Sequence, residues 1–190
     1  MTGKTHQIIG LTAGIYSYLA FAPPVYGPAT FAAVAVAAHI AALLPDIDQP
    51  TSKIWVDLPF GHVAGELVNP FLQHRNLSHS LLGFGIFTGI AYEVLLHFPT
   101  YWGIHRPAVL MAAVVAYGSH LLADMVTVEG IPLFYPSQHM YGIPPHPFEG
   151  LRILTGHWFE NLIVFPLSNL VFITMLYSYW PILRRVLFHQ

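Results

Sequence analysis

Five apolar stretches, separated by short polar segments, most constrain what this chain can fold into. They cover residues 7–22, 29–44, 79–97, 107–126 and 161–183. A membrane-crossing helix needs roughly 20 predominantly apolar residues. Because proline cannot continue a helix, Pro23 and Pro24 end the first stretch and Pro45 ends the second. The sequence therefore predicts an all-α integral membrane bundle of about five transmembrane helices.

Charged side chains are too scarce to cover a soluble surface. The chain has 7 basic and 9 acidic residues among 190, or 8%, whereas soluble domains carry about 25%. A net charge of −2 offers no basic surface for nucleic acid, and the lack of cysteine excludes disulfides and thiolate metal sites. The composition argues against a soluble enzyme, a nucleic-acid-binding protein and a disordered chain. It predicts one membrane-embedded domain over residues 1–190, in a multi-pass membrane protein.

Three segments between the stretches are not predicted to cross the membrane, at residues 45–78, 98–106 and 127–160. The last of them is rich in Pro, Gly, Tyr and Phe, and aromatic rings of this kind sit well among lipid headgroups. With five crossings, the two longer segments lie on the side of residue 1, which we call the near side. We expect both to be interfacial loops.

The polar residues that could carry chemistry are sorted to this near side. Polar residues within or at the ends of spans are costly and are usually functional. The far side has only His97, His105 and His189. The topology therefore predicts one site at the near side, with these candidates: His6, Asp46, Asp48, His74, Arg75, His79, His120, Asp124 and Glu160.

The segment SHLLAD carries a spacing that suits a metal. His120 and Asp124 lie four residues apart, which places both side chains on one helix face. An imidazole and a carboxylate so placed can share one ion, as paired ligands do in known motifs. The alternative interpretation is a hydrogen bond between packed helices.

The segment LPDID places two carboxylates at the end of the second stretch. Asp46 and Asp48 alternate around Ile47 and need not face the same way. One of them could bridge two metal ions, while the other could orient a metal ligand without contacting the metal itself. The alternative is a polar turn after a helix end.

The segment HRNLSHS crowds polar groups at the start of the third stretch. His74 and His79 offer imidazoles, which suit zinc and similar metals, and the guanidinium of Arg75 forms a fork that fits phosphate. The alternative is an interfacial polar cluster with Ser78 as the helix cap.

The remaining histidines and acids are less constrained by their context. His6 and Glu160 are isolated in the sequence, and they are candidates only because they lie on the near side with the others. His157 could share a helix face with Glu160. We interpret His39 as a residue that supports the ligands from behind or that serves in packing. Three histidines in near-side loops stay open as ligands: His62, His139 and His146.

In combination, the ordered motifs T-H-x-x-x-G, LPDID, HRxxSHS, SHLLAD and TG-x-x-x-E, which run from Thr5 to Glu160, resemble the YdjM-like family of small inner-membrane proteins. This resemblance covers nearly the whole chain. Members of that family are described as membrane-bound metal-dependent hydrolases, so the resemblance implies a metal-dependent hydrolase and leaves the substrate open.

A more distant resemblance concerns the order of the ligands. His, Asp, His, His-x-x-x-Asp and a late Glu is similar to the ligand order of the all-helical zinc-dependent phospholipase C and P1-type nuclease superfamily, whose enzymes split phosphoesters with clustered zinc ions. The late pair here is His157-x-x-Glu160, which departs from the spacing of four in that superfamily.

Together these observations predict a membrane-bound hydrolase, of the phosphoesterase type, acting on a lipid or another amphiphilic substrate. We expect zinc, with two ions if Asp46 or Asp48 bridges, although other divalent metals would also suit the ligands. Metal-activated water would attack the substrate, Asp48 or Asp124 would position that water, and Arg75 would hold phosphate oxygens. The alternative function is a non-catalytic metal-binding or metal-transporting membrane protein.

Overall fold

The backbone is helical wherever the sequence is strongly apolar. The structure, a computed structural model, describes residues 1–21, 27–49, 52–56, 77–98 and 103–188. These residues contain seven α-helices and no β-strand, which confirms the all-α prediction. The helices are α1 (Gly3–Phe21), α2 (Pro28–Leu43), α3 (Lys53–Val56), α4 (Leu81–His97), α5 (Arg106–Met125), α6 (Phe165–Ser178) and α7 (Trp180–Phe188).

Short helices of other types extend two of these elements. A 3-10 helix, Leu44–Asp48, continues α2, and a π-helix, Glu160–Val164, leads into α6. Among the described residues, three segments are long and apolar enough to cross a membrane, namely Pro28–Ile47, Arg106–Met125 and Glu160–Ser178. The first and the last of them include these extensions. The apolar helix α4 is shorter, at 17 residues. The 19-residue α1 begins with the polar run KTHQ and is less apolar for that reason. The described residues thus form a helical membrane bundle.

The fifth apolar stretch forms two helices instead of one. The prediction of a single helix over 161–183 is wrong at its end, because α6 stops at Ser178 and α7 begins two residues later. Pro181 explains the break, since its nitrogen has no hydrogen to continue the helical ladder. In α7, Leu183 and Val186 are buried, and the helix packs against α2 and α6.

Helices α1 and α2 approach each other closely through small residues. A Cβ atom placed on Gly10 would lie 2.2 Å from the Cβ of Ala42, and one placed on Gly14 would lie 2.5 Å from the Cβ of Ala38. Small residues spaced by four let helix backbones come this near inside a membrane. The two helices are therefore fixed in one register.

Helix α5 joins this pair through a matching stripe. Ala112 and Ala116 are fully buried, and their carbonyl oxygens lie 3.0 Å and 3.6 Å from the Cβ positions of Gly14 and Gly10. One further helical turn towards the near side leads from Gly10 to His6, from Ala42 to Asp46 and from Ala116 to His120. The packing of the three-helix core therefore aims these polar residues at the same place.

The segment 127–160 folds into an irregular loop, as predicted. Backbone hydrogen bonds join Val128 N to Ile153 O at 3.1 Å, and Ile131 and Tyr141 bond to each other at 2.9 and 2.8 Å. Gly130 adopts a φ of 64° at the bend between them. The loop exposes large apolar side chains, which suits an interfacial position: Phe134, Phe148, Leu151, Leu154 and Trp158.

Candidate metal centre

Five of the predicted site residues meet at the near side of the core. They come from α1, the 3-10 helix, the turn before α4, and α5, and they form two groups in which the ligand atoms lie within 4.8 Å of one another. His120 belongs to both groups. The first group is His6, His120 and Asp124, and the second is Asp46, His79 and His120.

Asp124 lies at the centre of the cluster. Its Oδ1 atom lies 3.0 Å from Nε2 of His6, and its Oδ2 atom lies 3.4 Å from Nε2 of His79 and 3.7 Å from Nε2 of His120. The amino group of Met1 also contacts Oδ1. The two oxygens of one buried carboxylate therefore face different imidazoles.

Asp46 also contacts two of these imidazoles. Its Oδ1 atom is 3.5 Å from Nε2 of His79 and 3.7 Å from Nε2 of His120. These two nitrogens are 3.3 Å apart. Two imidazole nitrogens and two carboxylates that converge in this way form a donor set that zinc favours.

The orientation of His120 is fixed by the end of α2. Its Nδ1 atom lies 2.7 Å from the carbonyl oxygen of Ala42. Because a carbonyl only accepts, Nδ1 carries the hydrogen and Nε2 presents a lone pair to the cluster. The carbonyl oxygen of Ala42 is available because the chain continues here as a 3-10 helix, in which each carbonyl accepts from the N–H three residues later. For Ala42 that residue is Pro45, whose nitrogen carries no hydrogen.

His79 is held by the turn that starts α4. Ser80 caps this helix, since its Oγ accepts from the N–H of Gly83 at 3.1 Å. The alternative interpretation, with Ser78 as the cap, is therefore wrong in this respect. The carbonyl oxygen of Ser78 accepts instead from the hydroxyl of Tyr117 at 2.5 Å. The Nδ1 atom of His79 lies 3.1 Å from Oγ of Ser78, which leaves Nε2 directed at the cluster.

The carboxylates around His79 favour its charged form. Burial by itself lowers the pKa of this imidazole, but the contacts with Asp124 and Asp46 outweigh burial and raise the pKa to about 9. Without a metal, His79 therefore carries a proton at neutral pH. A metal ion that binds at Nε2 must displace that proton.

His6 is the residue of the cluster whose ring nitrogens would gain most from a cation. The side chain is buried, and neither ring nitrogen makes a hydrogen bond with any described residue, although Nε2 lies close to Asp124. The ring stacks on that of His120, with centroids 3.6 Å apart. A buried polar group without a partner costs about 1–3 kcal/mol. A metal ion would satisfy the nitrogen, so the residues present fit such an ion.

Glu160 is buried on the near side in a different environment. Its carboxylate accepts four hydrogen bonds, from the backbone N–H of Thr2 and Gly156 and from the hydroxyls of Thr2 and Thr5, at 2.6 to 2.8 Å. These contacts join the start of α1 to the π-helix before α6. Glu160 lies in neither of the two groups above, and its role as a metal ligand stays a prediction.

Several other predicted residues cannot be placed in the cluster. His74, Arg75 and His62 lie outside the described residues, and so does the side chain of Asp48. The Nδ1 atom of His39 lies 3.2 Å from the amide nitrogen of Gln7. The loop histidines at 139, 146 and 157 are exposed.

Sequence reasoning missed two features that build the cluster. The first is the small-residue spacing of Gly10 and Gly14, Ala38 and Ala42, and Ala112 and Ala116, which leads straight to the ligands and is visible in the sequence. The second is the backbone carbonyl of Ala42, for which the sequence gives no signal because every residue carries one.

A family model and two curated relatives match this chain. The sequence model of a family described as "YdjM inner membrane protein" matches residues 1–187. The inner membrane protein YdjM of Escherichia coli (strain K12) is 31% identical over 149 residues, which cover 76% of this chain and 70% of the relative. The uncharacterized protein YvsG of Bacillus subtilis (strain 168) is 30% identical over 167 residues, which cover 86% and 88%.

No solved structure matches this chain. The resemblance to the phospholipase C and P1-type nuclease superfamily thus gains no support from the comparisons, and it stays a prediction from the order of the motifs.

Proposed function

The chain belongs to the YdjM inner membrane protein family, and we propose that it acts as a membrane-bound metal-dependent hydrolase of the phosphoesterase type. It is a multi-pass protein of the inner membrane. The observation that carries the proposal is the buried cluster of three imidazoles and two carboxylates, in which His6 has two unsatisfied nitrogens.

We propose zinc as the metal, with two ions per chain. Asp124 directs Oδ1 towards His6 and Oδ2 towards His79, which is the arrangement that a carboxylate between two ions would need. Asp46 and His120 complete the ligand set. Zinc would lower the pKa of a coordinated water to about 7, which makes a nucleophile available near neutral pH.

The substrate would reach the cluster beside Asp46. The side chain of Asp46 is 16% exposed, whereas those of Asp124, His79 and His120 are at most 1% exposed. The carboxylate of Asp46 thus marks the more accessible edge of the cluster. In this proposal Asp48 helps to position the attacking water, and Arg75 holds the phosphate oxygens.

The position of the cluster favours a lipid or other amphiphilic substrate over transport of the metal. Transport sites usually lie near the bilayer midplane, between broken helices. Here the polar residues lie at the near ends of α1, α2 and α5, where lipid headgroups lie, and the loop 127–160 exposes apolar side chains on the same side.

Metal analysis of the purified protein, followed by hydrolysis assays on a phospholipid and on a soluble phosphodiester, tests the proposal. We expect zinc to co-purify, hydrolysis to require it, and Asp124→Asn to lose both. A protein that holds no metal would overturn both the hydrolase and the metal-binding alternative. A metal-loaded protein that hydrolyses neither substrate would favour the non-catalytic alternative.

A further inference from the structure

His79 is the residue of the cluster whose position depends most on a single turn. His6, Asp46 and His120 continue the rows of small residues along which α1, α2 and α5 pack. His79 instead lies in the turn 77–80, and the helix that follows, α4, packs mainly against α5 among the described helices. Several large apolar side chains of α4 stay exposed, namely Leu82, Ile86, Ile90, Val94 and Leu96. The contacts that the turn itself makes are therefore important for the position of His79.

Two hydrogen bonds hold the backbone of this turn on either side of His79. Before it, the hydroxyl of Tyr117 donates to the carbonyl oxygen of Ser78 at 2.5 Å. After it, the N–H of Leu81 donates to the carbonyl oxygen of Leu133 at 3.0 Å. The second of these bonds joins two backbone groups, which residues of almost any type could supply. The first depends on one side chain, that of Tyr117.

The ring of Tyr117 is fixed between α4 and α5. The residue is 3% exposed. Its ring stacks on that of Phe87, with centroids 4.6 Å apart and an interplanar angle of 21°, and it also contacts the ring of Phe84, with centroids 5.7 Å apart. Because aromatic packing holds the ring, its hydroxyl has a defined position from which to donate to the turn.

Helix α5 thereby determines the position of two imidazoles. Tyr117 lies three residues before His120, and Asp124 lies four residues after it, so the three side chains share one face of the helix. The helix presents His120 directly, and it places His79 through the contact of Tyr117 with the turn. The Nε2 atoms of the two imidazoles lie 3.3 Å apart. That separation is thus set by groups on one helix.

We propose that Tyr117 is a positioning residue of the metal centre. Its hydroxyl holds the carbonyl of Ser78, and through it the turn, so that Nε2 of His79 faces the other ligands. The inference rests on the proposed metal-dependent function and adds to it a group that orients a ligand without contacting the ion. Groups of this kind matter because a zinc–nitrogen bond has a narrow length, about 2.0–2.1 Å.

Zinc titration of Tyr117→Phe in detergent, in competition with a chromophoric chelator, tests this role. The variant keeps the ring and its packing and loses only the hydroxyl. We expect zinc to bind about tenfold more weakly, at the lower end of the effect of groups that orient metal ligands. Tyr18→Phe is the matched control, because Tyr18 is also a buried tyrosine and lies about 18 Å from His6 along α1. It should bind zinc as the wild type does.

The visible spectrum of bound Co²⁺ separates positioning from a general effect on the fold. Co²⁺ replaces zinc in many sites, and its absorption depends on the number and geometry of its ligands. The spectrum should change in Tyr117→Phe, because the imidazole of His79 would no longer be held in place, and it should not change in Tyr18→Phe. A Tyr117→Phe variant with a lower Tm and the spectrum of the wild type would show a structural role alone, and that result would overturn the inference.

The remaining outcomes distinguish this inference from the proposal on which it rests. Wild-type zinc affinity in Tyr117→Phe, or an equal loss of affinity in Tyr18→Phe, would overturn the inference and leave the metal centre standing. A wild-type protein that binds no zinc would instead overturn the metal-dependent function. If Tyr117→Phe does not fold, Phe87→Leu removes the ring that stacks on Tyr117 and leaves the hydroxyl. We expect weaker zinc binding in that variant too, and an unchanged affinity would refute the positioning role.

Discussion

Two buried carboxylates on the near side, Asp124 and Glu160, are stabilised in different ways. Glu160 is fully buried and accepts four hydrogen bonds from hydroxyl and N–H donors, so it needs no further partner. Asp124 is 1% exposed and faces imidazoles, one of which, His6, lies 3.0 Å from its Oδ1 atom without an aligned hydrogen bond at either ring nitrogen. The comparison teaches that burial of an acid alone is a weak indication of a ligand site. Polar neighbours that lack a hydrogen-bond partner are a stronger indication.

The largest difference between the two carboxylates should appear in metal content. Asp124→Asn and His120→Ala should remove zinc completely, because both side chains lie in the cluster. His97→Ala should retain it, because His97 lies at the far end of α4, roughly 30 Å away across the hydrocarbon core. Elemental analysis of the purified variants measures this. Equal loss of zinc from His97→Ala would mean that the near-side assignment is wrong.

Removal of the metal should lower the free energy of unfolding, because the side chains around Asp124 would lose the ion that they hold in the folded state. A ligand that binds only the folded state stabilises it by about 2.7 kcal/mol at a concentration 100 times its Kd. We expect a strong chelator to lower the Tm in detergent and added zinc to restore it. A Tm that is unaffected after verified loss of zinc would contradict a role of the ion in holding the core together.

Glu160→Gln should affect folding but not metal content. The amide removes a charge that accepts four hydrogen bonds, and a hydrogen bond to a charged group contributes about 1.5–3 kcal/mol. We therefore expect a lower Tm with zinc retained. If the variant instead lost zinc as Asp124→Asn does, Glu160 would be the metal ligand that the sequence motif predicts.

Two glycines test whether helix packing aims the ligands. Gly10→Ala would place a Cβ atom 2.2 Å from that of Ala42, and overpacking of this kind costs about 1–3 kcal/mol. Because His6 lies one turn away, zinc affinity should fall as well. Gly89→Ala on α4, where no atom lies within 4 Å of the new Cβ, should instead stabilise the protein by up to about 1 kcal/mol. Denaturation and zinc titration compare the two, and equal effects would refute the packing argument.

The smallest effect should be a dependence of stability on pH in the chelated protein. The contacts with Asp124 and Asp46 raise the pKa of His79 to about 9 from the model-peptide value of 6.5. Their stabilisation is therefore complete below pH 6.5 and is lost as the pH rises through 9. The Tm of the chelated protein should fall over this interval. His79→Gln should flatten the curve, and a Tm that rises with pH in the wild type would contradict the assignment.

Much of the fold could be predicted from apolar stretches and prolines. The boundaries of α2 and α5 agree with the predicted spans to within one residue, because Pro45 and Pro107 mark where a helix ends or begins. The placement of His6, Asp46 and His120 on one side could be predicted from the number of membrane crossings and the direction of each crossing.

The contacts within the site could not be predicted in the same way. Thr5 and Glu160 are 155 positions apart in sequence, and only the packing of α6 on α1 brings them together. Pro181 could have indicated the helix break after Ser178. The apolar pattern continues past this proline, however, and gives no sign that one helix ends and another begins. Patterns of hydrophobicity locate helices, whereas pairing between distant helices depends on side-chain shape.

Pro45 has a consequence beyond ending α2. Because it brings no amide hydrogen, the oxygen of Ala42 stays open to a group from another helix, and the imidazole of His120 takes that place. Replacing Pro45 with alanine would add a backbone N–H that can donate to the oxygen of Ala42. The imidazole of His120 would then lose the contact that directs its Nε2 atom towards the cluster. The hydrogen that is missing from one helix thus decides which nitrogen of a histidine on another helix faces the cluster.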